Sequence, residues 1–168
     1  MTHRKDFEAL VREHEAMIGR ICASYEHNRE LARDLAQDVL FAVWRALPAH
    51  RGESSIKTFV ARIAQFRAIS HVARSSRMPA HESIDESLLD HVALPDVQVI
   101  AADERDRLLA AVRRLPLTYR EPAVLTLEGF TPAEVAVSLG ISQDLVAVRL
   151  SRARALLRKL LGERTRES

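Results

Sequence analysis

The stretch TPAEVAVSLGISQDLVAVRLSRARALLRK, residues 131–159, carries the punctuation of two consecutive helices. Thr131, Pro132 and Glu134 stand where an N-cap, a proline at the first helical position and the glutamate of a capping box belong. Val135, Ala136 and Leu139 fall on one face, and Gly140 follows as a left-handed C′ residue that stops the helix. Ile141 can tuck into a core, and Ser142 caps the next helix. That helix repeats apolar residues at Val146, Leu150, Ala153 and Leu157. Its other face shows Gln143, Asp144, Ala147, Val148, Ser151 and Arg152, flanked by Arg149, Arg154 and Arg158. A short helix, a tight glycine turn and a second helix with an arginine-bearing face is the layout that enters a DNA major groove. The same pattern also describes a plain helical hairpin inside an all-α core, with late arginines complementing the helix dipole. Taken alone, the motif leaves both readings open.

The rest of the chain extends this helical character upstream. Almost no segment alternates with a period of two, so strands are not expected. Hydrophobic residues make up 47% of 168 positions, ample for a packed core, and only five glycines and six prolines favour long helices over many turns. A first helix is expected from about Lys5 to Tyr25, with Phe7, Leu10, Val11, His14, Ile18, Ile21 and Tyr25 on one stripe. Asn28 is placed to cap a second, from about Arg29 to Leu47, which Pro48 ends. A polar loop over residues 49–55 leads into a third, from Ser54 or Ser55 to about Arg74, with room for a bend near Gln65 to Ala68. Downstream, a helix is expected from about Asp96 to Leu115, broken by Pro116, and a short one over Tyr119 to Leu127 leads to Gly129 and the two helices above.

Charge divides the same chain into three. Residues 1–79 carry 13 basic and 9 acidic side chains, residues 80–106 carry 1 and 8, and residues 107–168 carry 11 and 6. Two basic lobes therefore flank an acidic connector, although the net charge is only +2. Such lobes are suited to facing nucleic acid. The expected organisation is all-α: two small helical domains, 1–79 and 107–168, joined by a flexible acidic linker over 80–106 that includes the start of the next helix. A single cysteine, Cys22, excludes an internal disulfide and fits a reducing compartment. No signal-peptide core or bilayer-length apolar run appears, so a cytoplasmic protein is expected.

The first lobe then specifies the second. Asp34-Leu35, Gln37-Asp38, Trp44-Arg45, Arg51-Gly52, Lys57-Thr58-Phe59-Val60 and Ile63-Ala64 resemble, in order and spacing, region 2 of a bacterial sigma factor. Leu115-Pro116, Tyr119-Arg120, Glu134-Val135-Ala136, Leu139-Gly140-Ile141-Ser142 and Arg149-Leu150 followed by Arg152-Ala153-Arg154 resemble region 4. Together they are similar to the small two-domain extracytoplasmic-function (group IV) sigma factors, over roughly Leu10 to Leu161. The resemblance implies an alternative sigma factor, active in transcription regulation and stress response. It would bind core RNA polymerase and promoter DNA, assist melting, and perform no catalysis.

The resemblance also assigns surfaces. Asp34, Gln37, Asp38, Phe41, Trp44 and Arg45 would meet the clamp helices of the polymerase's largest subunit, with the second lobe near the flap. Trp44 would be either an anchor there or a core residue. Arg51, Gly52, Ser54, Lys57, Phe66, Arg67, Ser70, His71 and Arg74 would face the minus-10 element. Many relatives carry Asn where this chain has Phe66 and Trp where it has Phe59. Phe59 is expected in the core, and Phe66 either there or as a stacking platform for an unpaired base. Ser142, Gln143, Ala147, Val148, Arg149, Ser151, Arg152 and Arg154 would meet the minus-35 element. Arg152 is the best guanine reader, whereas Ala147 and Val148, where relatives often have Lys or Arg then Ser, can meet only a thymine methyl. The acidic connector would be a simple tether or would occupy the channel where RNA leaves the polymerase. An anti-sigma factor, often membrane-bound in this family, would hold the protein inactive.

Other classes fit less well. A dimeric helix-turn-helix regulator that works without polymerase would leave the first lobe unexplained, as would a pure interaction protein. The seven histidines form no metal pattern. No glycine-rich phosphate loop or nucleophile–base pairing is visible, so neither cofactor, metal, small-molecule substrate nor enzymatic activity is expected.

Overall fold

Asn28 illustrates how local chemistry sets the helix boundaries. Its side-chain oxygen accepts from the backbone N–H groups of Glu30 (3.0 Å) and Leu31 (3.1 Å), filling two orphan donors at the start of a helix. The computed structural model describes residues 2–76 and 103–162. The first segment holds α1 (Thr2–Ala23), α2 (Arg29–Ala46), a 3-10 turn at Leu47–Ala49, and α3 (Ile56–Ser76). The second holds α4 (Asp103–Arg114), α5 (Leu117–Leu127), α6 (Pro132–Leu139) and α7 (Gln143–Gly162). Among the described residues there is no strand, and no helix is long and apolar enough to cross a membrane. The expected acidic linker, apart from its last residues in α4, and the expected helix start near Asp96 lie outside the described residues. The first helix ends two residues before the expected Tyr25, because Ser24 and Tyr25 close it with hydrogen bonds to the carbonyls of Ile21 and Cys22. Residues 65–68 lie within uninterrupted α3.

Lobe 1 is a three-helix unit. α1 buries Leu10, His14, Met17, Ile18, Ile21 and Cys22, and α2 buries Leu35, Val39, Ala42 and Val43. α3 turns Val60, Ala61, Ala64, Gln65 and Ala68 inward, and this run of small residues lets its backbone approach its neighbours closely. Burying each of the isoleucines contributes about 1.5–3 kcal/mol. Cys22 is fully buried beside this core, and burial, aided by the Asp38 carboxylate, pushes its thiol up to about 12.

Lobe 2 is the expected four-helix unit. Thr131 and Glu134 form the reciprocal capping box of α6, at 3.2 and 2.7 Å. Gly140 adopts φ +65°, the left-handed turn between α6 and α7, and Ser142 Oγ accepts from the Leu145 amide at 3.1 Å. α7 buries Val146, Leu150, Ala153 and Leu160, with Leu157 partly covered. Between α4 and α5, Pro116 brings no N–H and Arg120 reaches back to the exposed carbonyls. Its guanidinium donates to Leu115 O (3.2 and 2.8 Å) and to Arg113 O, capping α4 from inside the core.

The lobes share one apolar core rather than standing apart. Val112, Val124, Leu125, Phe130 and Val135 are continuous with the lobe 1 residues, and α3 packs on α5 and α6. A buried polar chain crosses the seam. The Arg120 guanidinium lies 5.4 Å from the Tyr25 ring centre, the Tyr25 hydroxyl donates to Gln65 Oε1, and Gln65 Nε2 donates to Glu121 O at 3.0 Å. Burial raises the Tyr25 phenol and lowers Arg120.

Candidate nucleic-acid interface

α2 presents Asp34, Gln37, Asp38, Phe41, Trp44 and Arg45 at helical spacing on one exposed stripe. Phe41 is 58% exposed with the Arg45 guanidinium 5.7 Å from its ring centre. Trp44 is neither core nor free: it is 36% exposed and packs edge-on against Phe7 (4.9 Å) and beside His3 (4.3 Å). Phe41 and Trp44 thus give an otherwise charged stripe two exposed aromatic rings.

The second group falls on the loop after α2 and along α3. Arg51 and Gly52 are exposed, Ser54 is half-buried, and Gly52 takes φ +75°, which aims the loop outward. His50 stacks on Phe59 at 4.5 Å, which pins the loop base to the half-buried Phe59. Phe66 is 68% exposed, so the core alternative for it is excluded. Phe66, Arg67, Ser70, His71 and Arg74 share one stripe of α3.

Internal partners already hold several of this group. Arg67 lies 3.6 Å from Asp38, so the two candidate faces adjoin. His71 Nε2 lies 2.7 Å from Glu26 Oε2. Burial disfavours the Glu26 carboxylate, but His71 and the Asn28 amide outweigh it and hold the carboxyl below its ordinary range. Lys57 stands nine positions before Phe66, about two and a half turns and so on the opposite side of α3. Its ammonium donates to Glu128 O at 3.0 Å and lies 4.4 Å from the Phe130 ring centre. Geometry thus separates Lys57 from the stripe with which the sequence reading grouped it.

The third group is the open face of α7. Gln143, Asp144, Ala147, Val148, Ser151, Arg152 and Arg154 are all exposed, Val148 at 53%. α7 packs inward on α4, α5 and α6, leaving this face outward. Ser142 acts as an N-cap, and Arg149 is half-buried near Glu121, whose carboxyl burial raises and Arg149 draws back. Sequence reasoning did not single out the residues that join the lobes: Arg20, Gln65, Arg113 and Glu128. Gln65 alone left a signal, as a polar residue inside the alanine stripe 61-64-68 of α3.

Comparison with known proteins places both halves of the chain in one family. Residues 10–78 match Sigma-70 region 2, and residues 105–157 match Sigma-70, region 4. The chain is 29% identical over 164 residues to the RNA polymerase sigma factor NccH of Alcaligenes xylosoxydans xylosoxydans, covering 92% of this chain and 86% of that protein. It is 28% identical over 160 residues to the ECF RNA polymerase sigma factor SigM of Mycobacterium tuberculosis, covering 95% and 79%. It is 31% identical over 163 residues to the RNA polymerase sigma factor YlaC of Bacillus subtilis (strain 168), covering 95% and 94%. The fold is shared with the sigma factor RpoE solved with the anti-sigma factor NepR from Bartonella quintana, with a TM-score of 0.73 at 22% identity over 94% of this chain and 98% of that one. With both halves matched in order and relatives aligned nearly end to end, the chain belongs to the sigma-70 family, as an alternative RNA polymerase sigma factor of the extracytoplasmic-function type.

Proposed function

We propose that this sigma factor docks on core RNA polymerase through the α2 stripe and reads promoters at two points, α7 on the minus-35 element and the Phe66 stripe of α3 on the minus-10 element. The observation that carries this is the exposure of Phe66 and of the α7 face in two lobes that match regions 2 and 4 of one family. Phe41 and Trp44 supply the apolar centre of the polymerase contact, with Asp34, Gln37, Asp38 and Arg45 as its polar rim. On the minus-10 strand, each base stacked on an aromatic ring gains about 1–3 kcal/mol. That offsets the few kcal/mol needed to unstack it, so Phe66 favours the melted strand. Arg67, Ser70 and Arg74 line the same stripe, and Arg51, Gly52 and Ser54 border it. On α7, Arg152 donates to guanine and Val148, with Ala147, covers a thymine methyl. Gln143, Ser151 and Arg154 complete this contact, with Arg149 positioned behind it.

The protein works in the cytoplasm, as a polymerase subunit without chemistry of its own, and an anti-sigma factor holds it inactive. The location and the lack of chemistry rest on the family, and the anti-sigma factor on its neighbours: CnrH, like RpoE, was solved with a partner, the cytosolic domain of CnrY. Run-off transcription with core polymerase on genomic promoter fragments tests the reading. The chain should confer specific initiation, and Phe66→Ala should reduce open-complex formation more than closed-complex binding. Promoter binding without initiation would overturn it in favour of a helix-turn-helix regulator.

A further inference from the structure

Charge divides α7 along its length. Residues 143–148 carry no basic side chain and one acid, Asp144, whereas residues 149–159 carry four arginines and a lysine. The uncharged end is also the more apolar on its outside. Leu145 is 38% exposed and Val148 53%, three positions apart, and Ala147 beside Val148 is exposed too. Leu145 belongs to none of the three residue groups. At 3.6 residues per turn, Leu145, Val148 and the exposed Arg152 fall on one strip of the helix, and Asp144, Ala147 and Ser151 on the strip next to it. The Ser142 cap holds the Leu145 amide at 3.1 Å, so Leu145 stands in the first turn. That is the end of a recognition helix which meets base edges.

A single apolar side chain on a surface is ordinary. Two on successive turns of the outward strip of this helix call for an occupant. Arg152 on the same strip, with exposed Arg154 and Arg158 further along, favours a polyanion. The apolar group that a DNA duplex offers in its major groove is the thymine methyl. Guanine presents two acceptors there, and adenine and cytosine present amino donors. The side chains of Leu145, Ala147 and Val148 can neither donate nor accept, so they discriminate by contact alone.

We propose that α7 reads the minus-35 element by two chemistries: Leu145 and Val148 each cover a thymine methyl at its uncharged end, and Arg152 reads guanine beyond them. This rests on the reading of α7 as the minus-35 helix, and it adds Leu145 as a specificity-determining residue. Along the axis Val148 lies about 4.5 Å past Leu145, and Arg152 about 6 Å past Val148. With base pairs about 3.4 Å apart, the two thymines and then the guanine follow at steps of about one to two pairs.

Uracil is the direct probe, because it pairs as thymine does and lacks only the methyl. Duplexes of random sequence are selected for binding by the chain assembled with core polymerase. The recovered upstream element is then remade with uracil at each thymine in turn. Two thymines spaced as above from a guanine should each show a loss of about fourfold, as expected for one buried methylene-sized group. Leu145→Ala should remove the loss at one thymine and Val148→Ala at the other, each sparing its neighbour's. Arg152→Ala should weaken binding and leave both losses in place. All three side chains are exposed, so alanine costs the fold little. An element without such thymines, uracil tolerated at both, or a loss that neither alanine variant relieves overturns the methyl reading. In that event, weaker binding of Arg152→Ala to the recovered element with random duplex unaffected leaves α7 as the minus-35 helix; no loss of selectivity removes that reading too. If Leu145→Ala assembles less well with core polymerase and keeps both losses, Leu145 contacts protein and its role on DNA is overturned.

Discussion

α7 and α3 are both long helices with an arginine-bearing face, yet they sit in their lobes very differently. α7 has one buried edge and one open face, and every side chain on that face points to solvent. α3 is enclosed on several sides: its alanines face α1 and α2, Gln65 and Lys57 reach lobe 2, Arg67 and His71 lean on Asp38 and Glu26, and Phe66 stands exposed. A helix that packs on one side can have its binding face changed without cost to the fold. A helix that packs on several sides ties recognition to stability.

The sharpest way to break this contrast lies at Arg120, which serves the seam beside α3 rather than the α7 face. Arg120→Met should lower unfolding free energy by about 3 kcal/mol, because two buried carbonyls lose their donor. A loss below about 1 kcal/mol in urea titration would show that water replaces it. Next comes Arg152→Ala on the open face. It should cost about 1–3 kcal/mol of binding to the cognate minus-35 element, little on random DNA, and less than about 0.5 kcal/mol of stability. An equal loss on both DNAs would make it a phosphate contact. Gly140→Ala tests the turn that aims α7. A Cβ there meets no atom within 4 Å, so the expected loss of about 1 kcal/mol is backbone strain alone. The smallest effect concerns acid. The Glu26 carboxyl is held below its ordinary range, so its pairing stabilises the fold above that range and fades as pH falls through the lowered value. Between pH 7 and pH 3 the urea midpoint of the native chain should therefore fall further than that of Glu26→Gln.

The same contrast explains what was legible in the sequence. Thr131, Glu134, Gly140, Ser142 and Asn28 act within four residues of themselves, so their roles follow from spacing alone, and the structure places each as a cap or turn. The exposed stripes of α2 and α7 follow from spacing for the same reason, since one helix carries each of them. Phe66 was not, because exposure at a single position depends on what packs beside it. Arg20, Arg113 and Glu128 were invisible, since charged residues near helix ends are ordinary and their partners lie far along the chain. Lys57 was grouped by its proximity in sequence to the loop it follows, whereas its contacts to Glu128 and Phe130 depend on a partner far along the chain.

Cys22 carries a consequence for studying the molecule. A thiol raised to about 12 holds roughly one part in ten thousand as thiolate at pH 8. It is also sealed from reagents by its burial. The native chain is therefore silent toward maleimides. A cysteine introduced at exposed Ser75 in lobe 1 and another at exposed Ala155 in lobe 2 would be the reactive sites, and a dye pair on them would follow the separation of the lobes in real time with the natural cysteine left in place.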